Sequence, residues 1–554
     1  MIQGEYEMLC RKILSLTMNQ INIAGMKRYN IDKNTINSSD VIYRSAVADR
    51  SPITIVYTPA GTGKSTLIKD RANAIMKLGV PPEKIMILNA NIAKVKQMKH
   101  EIPGVNIKTF SEFTHDIFTA NVPGFKISDT TSIANLLKLT EMNDQKEKFI
   151  TDLSMFNQQE RAMMLTLFIN KNAETALNIL KEIKCIDYSL ESMLCHYYMY
   201  LFKNNPYDIE TILVNGTNNM PIPILCSVIE YANKYRCNLF VTGSDKSTIY
   251  DFNMAYGGSL TVMSAHNGVG IVRLVNSKIT PSIQNVLDLR RTTEKLKNIY
   301  AFSMNIGYET TTYDIAKEAL ATPYLGDCLS KKEPVLILAR SKKDITDIKQ
   351  VLEERYRPGF PNMNVLDLTN IQAPYSNYGK VLVMYRKELQ ARYPNTVTTR
   401  QFCNDMYTLL QYMAENEKSN TRKAQYQKDL DDCVNFVQTN IDRLGSMEKE
   451  WKLDDIIRTI INIESDRIQK HNDDVNNNLS FDFDGADIIL STIHSAVDIR
   501  MDNVIAFIRN TKNYKDETPL FDVMLSRANK SEYLIFANLN NNKTSYQMYI
   551  EQNT

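Results

Sequence analysis

The chain has 554 residues, of which 43% are hydrophobic, and its formal net charge is only +2. This length is too great for one ordinary domain and suggests roughly three or four domains at ~150 residues each. The near-neutral charge excludes a uniformly basic nucleic-acid coat but leaves room for a local positive groove.

Targeting and metal-binding signals are absent from the sequence. It has no apolar run of about 18 residues, so no membrane span is predicted. The first residues, MIQGEYEMLCRKIL, carry acidic side chains and do not resemble a signal peptide. The eight cysteines form no CxxC motif or Cys/His cluster, which argues against a zinc site or a disulfide framework. We therefore expect a soluble, intracellular protein of the cytoplasm or nucleus. The abundance of Asn, Ile and Lys is typical of an AT-rich coding genome, for which a virus is one candidate source.

The N-terminal 40 residues predict a helical extension, and the first strong pattern after them is ITIVYTPAGTGKSTLI at residues 53–68. Its β-branched and aromatic start predicts a buried strand, and STLIKDRANAIMKL has helical periodicity. A glycine loop between a strand and a helix is the context of a phosphate-binding loop. The alternative is a chance glycine-rich turn.

This loop carries residues suited to a nucleotide with Mg²⁺. Gly61 and Gly63 let backbone N–H groups converge on an anion at the positive end of a helix. Lys64 can reach the β- and γ-phosphates, and the Ser65 hydroxyl can ligate Mg²⁺. The predicted cofactors are therefore ATP and Mg²⁺, with Ser65 as the metal ligand. Thr58 stands where the usual pattern has its first glycine. The residues predicted to bind the nucleotide in this loop are Thr58, Gly61, Thr62, Gly63, Lys64, Ser65 and Thr66.

Two long segments further along the chain have helical apolar spacing. One lies between residues 131 and 205 and includes QQERAMMLTLFIN and TALNILKEIKCI. The other spans residues 371–479 and includes FCNDMYTLLQYMAENEK and YQKDLDDCVNFVQTNIDRL. Both patterns predict amphipathic helices. The Asn/Asp-rich stretch HNDDVNNNLSFDFDG at 471–485 indicates a linker.

Segments from about residue 40 to about residue 535 resemble the motifs of the UvrD/Rep-like branch of the superfamily 1 helicases, in the family's order. YRSAVADRSPITIVY is similar to the QREAVA segment, and KTFSEFTHDIF to TFHSLALRI. NLFVTGSDKSTIYDFNMA resembles VVGDPDQSIYGFRGA, and LRRTTEKL resembles NYRSTPEI. ADIILSTIHSAVDIRMDNVIAF and VMLSRANKSEYLIF are similar to STIHSAKGLEFDNVIV and VALTRAKKELYLT. The combination of TIHSA and SRA after a phosphate loop makes the likeness specific.

The resemblance implies an α/β fold with two RecA-like parallel-sheet P-loop domains, each with a mainly helical insertion. The implied segments are an N-terminal helical extension, 1–40; a first core, 41–130 and 206–290, around an insertion, 131–205; and a second core, 291–370 and 480–554, around an insertion, 371–479.

The resemblance also implies roles for single residues. Arg291 and Arg527 match the family's arginine fingers, while Tyr43 and Arg290 stand where the family contacts adenine. Single-stranded nucleic acid would cross both cores, with bases stacked on aromatic side chains. The residues implied to bind single-stranded DNA or RNA are Asn91, Thr109, Phe110, Tyr250, Phe252 and His494. For the aromatic pair at 250 and 252, the alternative is packing between the two cores.

One strand departs from the family at the centre of catalysis. ILVNGTNN, at 212–219, occupies the place of ILVDEFQD, so Asn215 stands for the metal-holding Asp and Gly216 for the water-activating Glu. An amide brings no negative charge to Mg²⁺, and glycine cannot accept a proton from water. Since a positioned general base is worth ~10²–10⁴-fold in rate, we expect weak or absent ATP hydrolysis. Whether the chain is an enzyme stays open at this point.

Acidic residues from elsewhere are the alternative to a lost catalytic centre. Asp208 and Glu210 precede the apolar run of the same strand, at the wrong end of a parallel strand for catalysis. Asp245 follows the next predicted strand and is another candidate neighbour of a metal. Ser247, close by, stands where the family has its γ-phosphate-sensing Gln.

Three functions are compatible with these patterns. The first is a helicase homologue that binds ATP and single-stranded nucleic acid, with weak or absent hydrolysis, in a replication or transcription machine, viral or cellular. The second is an active ATP-dependent DNA or RNA helicase or translocase with a non-standard acid. The third is a non-catalytic structural or interaction subunit. We expect single-stranded DNA or RNA and protein partners in a multi-subunit complex, and no membrane.

Overall fold

The computed structural model divides the chain into two compact units. One unit consists of Met1–Thr114, Met199–Asn370 and Ser480–Thr554, and the other of His115–Tyr198 and Ile371–Leu479. The residues that the structure describes are 2–59, 62–155, 157–244, 254–275, 283, 285–286, 296–307, 309–371, 376–478, 485–496, 499–510, 518–539 and 543–553.

The fold contains many strands and helices in alternation. In chain order the strands are β1 (Ile53–Tyr57), β2 (Ile85–Asn89), β3 (Asn106–Thr109), β4 (Lys126–Ile127), β5 (Cys185–Ile186), β6 (Thr211–Asn215), β7 (Asn238–Gly243), β8 (Gly270–Arg273), β9 (Ile299–Ile306), β10 (Val335–Ala339), β11 (Val365–Asp367), β12 (Val397–Thr398), β13 (Glu450–Trp451), β14 (Ile488–Thr492), β15 (Met501–Asn510) and β16 (Ala528–Leu539). The α-helices are Ile2–Asn19, Val41–Val47, Lys64–Lys77, Ile92–Glu101, Phe110–Asn121, Thr130–Leu137, Asp144–Leu153, Gln158–Ile183, Tyr188–Tyr198, Ile222–Lys234, Ser259–Ser264, Thr312–Ala319, Pro323–Ser330, Lys342–Arg355, Tyr378–Met384, Arg386–Arg392, Thr399–Asn416, Asn420–Thr439, Ile441–Leu444, Leu453–Asn478, Thr518–Leu525 and Ser545–Asn553.

The larger unit contains two parallel sheets of six strands. The first has the order β3-β2-β6-β7-β1-β8 and the second the order β11-β14-β10-β15-β16-β9. Each described pairing between neighbouring strands of the two sheets is parallel. The predicted α/β class with two parallel-sheet domains is therefore confirmed.

The central strands of the first sheet are buried along their whole length. This holds for β1, β2, β6 and β7, whose sequences are nearly continuous apolar runs. Such runs are typical of parallel strands covered on both faces. On one face, Leu67, Val95 and Tyr43 from three helices pack with Leu213 and Phe240 of the sheet. This packing fixes the helix after the phosphate loop against the strand that ends in Asn215.

The second sheet has a comparable core. Ile337, Ile505 and Ile535 of its central strands pack with Ala316 and Ile348 from two of the helices that follow β9 and β10. Alternate residues of each strand share this face because successive side chains point to opposite sides of a sheet.

The smaller unit is mainly helical. It combines residues 115–198 with residues 371–479, two segments that are far apart in the sequence. Two short strand pairs accompany the helices: β4 with β5, which is parallel, and β12 with β13, which is antiparallel. Within the described part of the chain, no helix combines the length and apolar character needed to cross a lipid bilayer.

A buried carboxyl group stabilises one helix start in this unit. Glu464 accepts hydrogen bonds from the Ser376 hydroxyl (2.7 Å) and the Gly379 N–H (3.0 Å). Burial raises the pKa of Glu464 to about 8, and the negative charges of Asp129 and Asp429 act in the same direction. Since the ordinary pKa is 4.5, the folded protein holds a proton here that the unfolded chain releases at neutral pH.

We expect this group to make folding stability fall as the pH rises. Its contribution is fully present below pH 4.5 and is lost as the pH rises through about 8, because only the unfolded chain ionises easily in that window. In E464Q, the amide can donate to Ser376 and accept from Gly379, but it cannot ionise. The pH-dependent part of the folding stability that Glu464 contributes should therefore disappear. The two proteins should therefore melt at similar temperatures at low pH, and the unmodified protein should melt increasingly below E464Q as the pH rises from 4.5 through about 8.

The control is E448Q, which removes a carboxylate in the same unit that is 71% exposed and pairs with Arg400. Its melting temperature should follow that of the unmodified protein at each pH. If the E464Q curve also runs parallel to it, the buried proton does not control stability.

Candidate functional site

The loop after β1 is anchored to the neighbouring strand β7. Thr58 is buried, and both its N–H (2.7 Å) and its hydroxyl (3.1 Å) donate to the carbonyl of Gly243. Thr62 then closes a turn, with its hydroxyl donating to the Pro59 carbonyl at 2.9 Å. The Thr58 side chain therefore holds the loop to the sheet, which explains how a threonine is accommodated where a glycine is usual.

The loop leads into a helix whose first turn has no side-chain cap. Gly63 precedes the helix Lys64–Lys77 with φ +82°, in the left-handed region that glycine adopts without a steric penalty. Since the N-cap residue is a glycine, it supplies no side-chain cap to the N–H groups at this helix start. Such groups carry a partial positive charge and form a suitable anion site. Ser65 and Thr66 are only partly buried, so an anion can reach this turn.

Asn215, at the end of β6, contacts the first turn of this helix. Its side chain is fully buried, and its amide nitrogen donates to the Ser65 hydroxyl at 3.3 Å. The same nitrogen donates to Oδ1 of Asn89 at 2.7 Å. Asn89 ends β2 and is the register partner of Asn215, so the parallel pairing of these strands brings the two amides together. The structure thus places Asn215 beside Ser65, which precedes it by 150 residues in the sequence.

The amide pair leaves two polar atoms without partners. Oδ1 of Asn215 and Nδ2 of Asn89 are buried and have no hydrogen-bond partner among the described residues. A buried polar atom without a partner costs about 1–3 kcal/mol. Polar groups in such a position are typical of functional sites more than of stable cores.

Gly216 has a backbone conformation that excludes most side chains. Its φ is +87° and its N–H donates to the Thr242 carbonyl at 3.1 Å. The next residue, Thr217, donates its hydroxyl to the same carbonyl at 2.7 Å. Asn218 is buried and accepts from the N–H of Ser244 at 3.4 Å. Gly216, where the resemblance implies a glutamate, therefore lies in a left-handed turn that binds the loop to β7.

The acidic residues described near β6 lie away from the amide pair and the serine. Among the described residues, Ser65, Asn89 and Asn215 make no hydrogen bond to a carboxylate. Glu210 lies just before β6, where it pairs with Lys27 and with Lys84 (3.3 Å). Five residues of strand separate it from Asn215, which corresponds to ~16 Å.

Asp208 pairs with Lys84 at 3.3 Å, at the same end of β6 as Glu210. Asp208 and Glu210, the upstream acids considered as alternatives to acids at positions 215 and 216, thus lie at the opposite end of β6 from Asn215.

The site residues do not fit Mg²⁺ in the way the helicase resemblance implies. Mg²⁺ prefers carboxylate oxygens, and here the Ser65 hydroxyl is hydrogen-bonded to an N–H donor of Asn215. In the described part of the chain, no group of three or more His, Cys, Asp or Glu is placed to hold a metal ion. The start of the helix Lys64–Lys77 is the described feature of this loop that suits an anion.

The candidate arginine finger Arg527 is held within its own loop of the second sheet. It is buried, and its guanidinium donates to the Val523 carbonyl (2.7 Å), the Ser526 hydroxyl (2.8 Å) and the Ala496 carbonyl (3.4 Å). Glu532, fully buried in β16, has its pKa raised well above the ordinary value by burial, and the positive charge of Arg527 opposes that shift. Arg527 is thus bonded to neutral acceptors in this arrangement.

Tyr43 lies in the core next to the phosphate-loop helix. It is 8% exposed, and its hydroxyl donates to Oδ2 of Asp70 at 2.7 Å. Burial, with the Asp70 bond in the same direction, raises the pKa of Tyr43. Its hydroxyl is therefore engaged in fixing the helix Val41–Val47 to the helix Lys64–Lys77.

Residues predicted to bind nucleic acid have structural contacts as well. Asn91 caps the helix Ile92–Glu101 by accepting from the Ala93 N–H at 2.8 Å, and it donates to the Ser495 carbonyl in the TIHSA segment. Thr109 accepts from the N–H of Glu112 at 3.2 Å at the start of the next helix. Of two further residues predicted to bind nucleic acid, Phe110 is buried and His494 is partly buried.

Several predicted positions lie outside the described residues. They are Gly61, Asp245, Ser247, Tyr250, Phe252, Arg290 and Arg291.

Two residues of the site were not singled out from the sequence. Asn89 ends β2 as Asn215 ends β6, and Thr242 supplies the carbonyl that binds the turn after β6. Two buried strands that both end in asparagine, IMILN and TILVN, were a usable signal, because parallel strands end at the same edge of a sheet.

Comparison with known proteins adds no family assignment. No protein-family model matches the chain, and no curated protein matches its sequence. The likeness to UvrD/Rep-like helicases therefore depends on the sequence motifs alone.

Restoring glutamate at position 216 is expected to destabilise the protein and not to restore hydrolysis. A non-glycine residue in the left-handed region costs about 1–2 kcal/mol, and the turn would have to rearrange. We expect G216E to melt several degrees below the unmodified protein, as measured by circular dichroism.

The matched control is G326E, in the helix Pro323–Ser330, where an added Cβ meets nothing within 4 Å and φ is not positive. G326E should melt close to the unmodified protein. A G216E variant as stable as G326E would show that the turn tolerates a side chain.

Proposed function

We propose that the chain is a helicase homologue that binds ATP at the phosphate loop and hydrolyses it weakly or not at all. The observation that carries the proposal is one juxtaposition. An uncapped helix start with Gly63, Lys64 and Ser65 faces a strand end where Asn215 and Gly216 replace the family's two acids.

The residues of the loop would divide the work of binding. Backbone N–H groups of the first helical turn would donate to phosphate oxygens, and the Lys64 ammonium group would donate to the terminal phosphates. Asn215 would hold the Ser65 side chain in place through its amide nitrogen. None of these groups can remove a proton from an attacking water, which supports weak or absent turnover.

The wider role is part of the same proposal. The motifs implied to contact single-stranded DNA or RNA surround this site in the sequence, and Asn91 bonds the backbone of the TIHSA segment. We infer a nucleotide-loaded, strand-binding component of a multi-subunit replication or transcription machine, whether viral or cellular.

Nucleotide binding should depend on Lys64. Because a charge-assisted hydrogen bond contributes about 1.5–3 kcal/mol, K64A should weaken the binding of a fluorescent ATP analogue by about tenfold or more. Titrations followed by fluorescence anisotropy measure this directly. The control is K77A, which removes an exposed lysine at the other end of the same helix, ~20 Å away.

K77A should bind the analogue as the unmodified protein does. If the unmodified protein does not bind, or if K64A and K77A lose affinity equally, the phosphate loop is not a nucleotide site.

Phosphate release should stay at background with or without single-stranded DNA or RNA. A loss of the general base alone is worth ~10²–10⁴-fold in rate, and the missing carboxylate at 215 adds to it. The assay compares the unmodified protein with K64A, which reports contaminating activity. Hydrolysis that is above background and disappears in K64A would instead favour an active helicase or translocase with an acid from elsewhere in the chain.

A further inference from the structure

We propose that the nucleotide bound at this loop is held without Mg²⁺, so that the ligand is the free polyanionic nucleotide and not its magnesium complex. This inference depends on the proposed function, since it concerns the same loop. It starts from the disagreement between the residues at the site and the metal that the helicase resemblance implies.

The hydroxyl that would ligate the metal is already bonded to a donor. In phosphate-binding loops the hydroxyl of this serine presents a lone pair to Mg²⁺. Here the Ser65 oxygen accepts from the amide nitrogen of Asn215 at 3.3 Å. One amide hydrogen of Asn215 therefore occupies a lone pair of the Ser65 oxygen, and the strand end offers this hydroxyl a donor where the resemblance implies a carboxylate.

Turning the Asn215 oxygen towards a cation requires a second residue to move. The nitrogen of Asn215 also donates to Oδ1 of Asn89 at 2.7 Å. Rotation of Asn215 alone would bring two carbonyl oxygens into contact inside a fully buried site. Both amides would have to rotate together, and the result would still offer the metal one neutral oxygen, whereas Mg²⁺ is normally bound through carboxylates.

The described residues that follow Asn215 offer no charge in compensation. Gly216 has no side chain, the Thr217 hydroxyl donates to the Thr242 carbonyl, and the Asn218 oxygen accepts from the Ser244 N–H. The nearby acids before β6 are paired with lysines at the opposite end of the strand.

The positively charged groups that would bind phosphate do not need a metal ion. The first turn of a 14-residue helix has no side-chain cap, and Lys64 is its first residue. Removal of both carboxylates also removes the repulsion that they would exert on a phosphate in the absence of a cation. These groups can therefore bind a nucleotide polyanion directly.

The test measures the affinity of the full-length protein for a fluorescent ATP analogue in excess EDTA and in millimolar Mg²⁺. The two dissociation constants should agree within about threefold for the unmodified protein. In N215D, a carboxylate faces Ser65 and can accept from Asn89, whose amide nitrogen has no partner among the described residues. Its affinity should become at least about tenfold higher with Mg²⁺ than with EDTA.

The matched control is N218D, which adds the same charge in the same turn on a side chain that accepts from the Ser244 N–H. It should remain indifferent to Mg²⁺. Binding by the unmodified protein only with Mg²⁺ would overturn this inference and leave the proposed function standing. Absence of binding in both buffers would overturn both. If N215D does not fold, the comparison on the unmodified protein decides alone.

Discussion

The parallel pairing of β2 with β6 is the constraint on which the candidate site depends. It sets Asn89 and Asn215 side by side at the carboxyl edge of the first sheet, fully buried, with Ser65 above them. Ligands of open parallel sheets bind at this edge, because helix starts converge there. Among the described residues, the ends of β2 and β6 at this edge are polar but uncharged, and their two amides bond each other. A site with this composition can orient groups and accept or donate hydrogen bonds, but it cannot bring negative charge to a metal or accept a proton.

The backbone conformation makes it difficult to introduce acidic side chains at this edge by single substitutions. Gly216 is left-handed and bonded to Thr242, so a side chain at this position requires a different turn. Thr58 anchors the other side of the loop to Gly243 on the same strand, β7. The two loops that form the site are therefore both fastened to the end of one strand. Recovery of a catalytic pair would require changes in charge and in backbone conformation together.

The sequence predicts local strands and helices, but it does not predict which distant segments contact each other. The runs ITIVY and TILVN predicted buried strands, and both are strands buried throughout, because short β-branched runs leave few alternatives. The pairing of Asn89 with Asn215 depends on the register of two strands more than 120 residues apart, which no local pattern specifies. The same is true of the helical segments 115–198 and 371–479, which form one compact unit. Periodicity predicts the apolar face of a helix but not the partner that covers it.

The charges around the phosphate loop give a physical reason why two acidic positions can change together. A carboxylate ~5 Å from a phosphate oxygen repels it by about 3 kcal/mol at an effective dielectric constant of 20. In an ATPase the metal ion offsets this repulsion, so the acids and the metal are useful only as a set. If one acid is lost and the metal is held poorly, the remaining acid only weakens phosphate binding. The neutral pair of Asn215 and Gly216, together with Lys64 and the helix start, is thus the arrangement that would preserve phosphate binding in a chain without hydrolysis, as the proposed function requires.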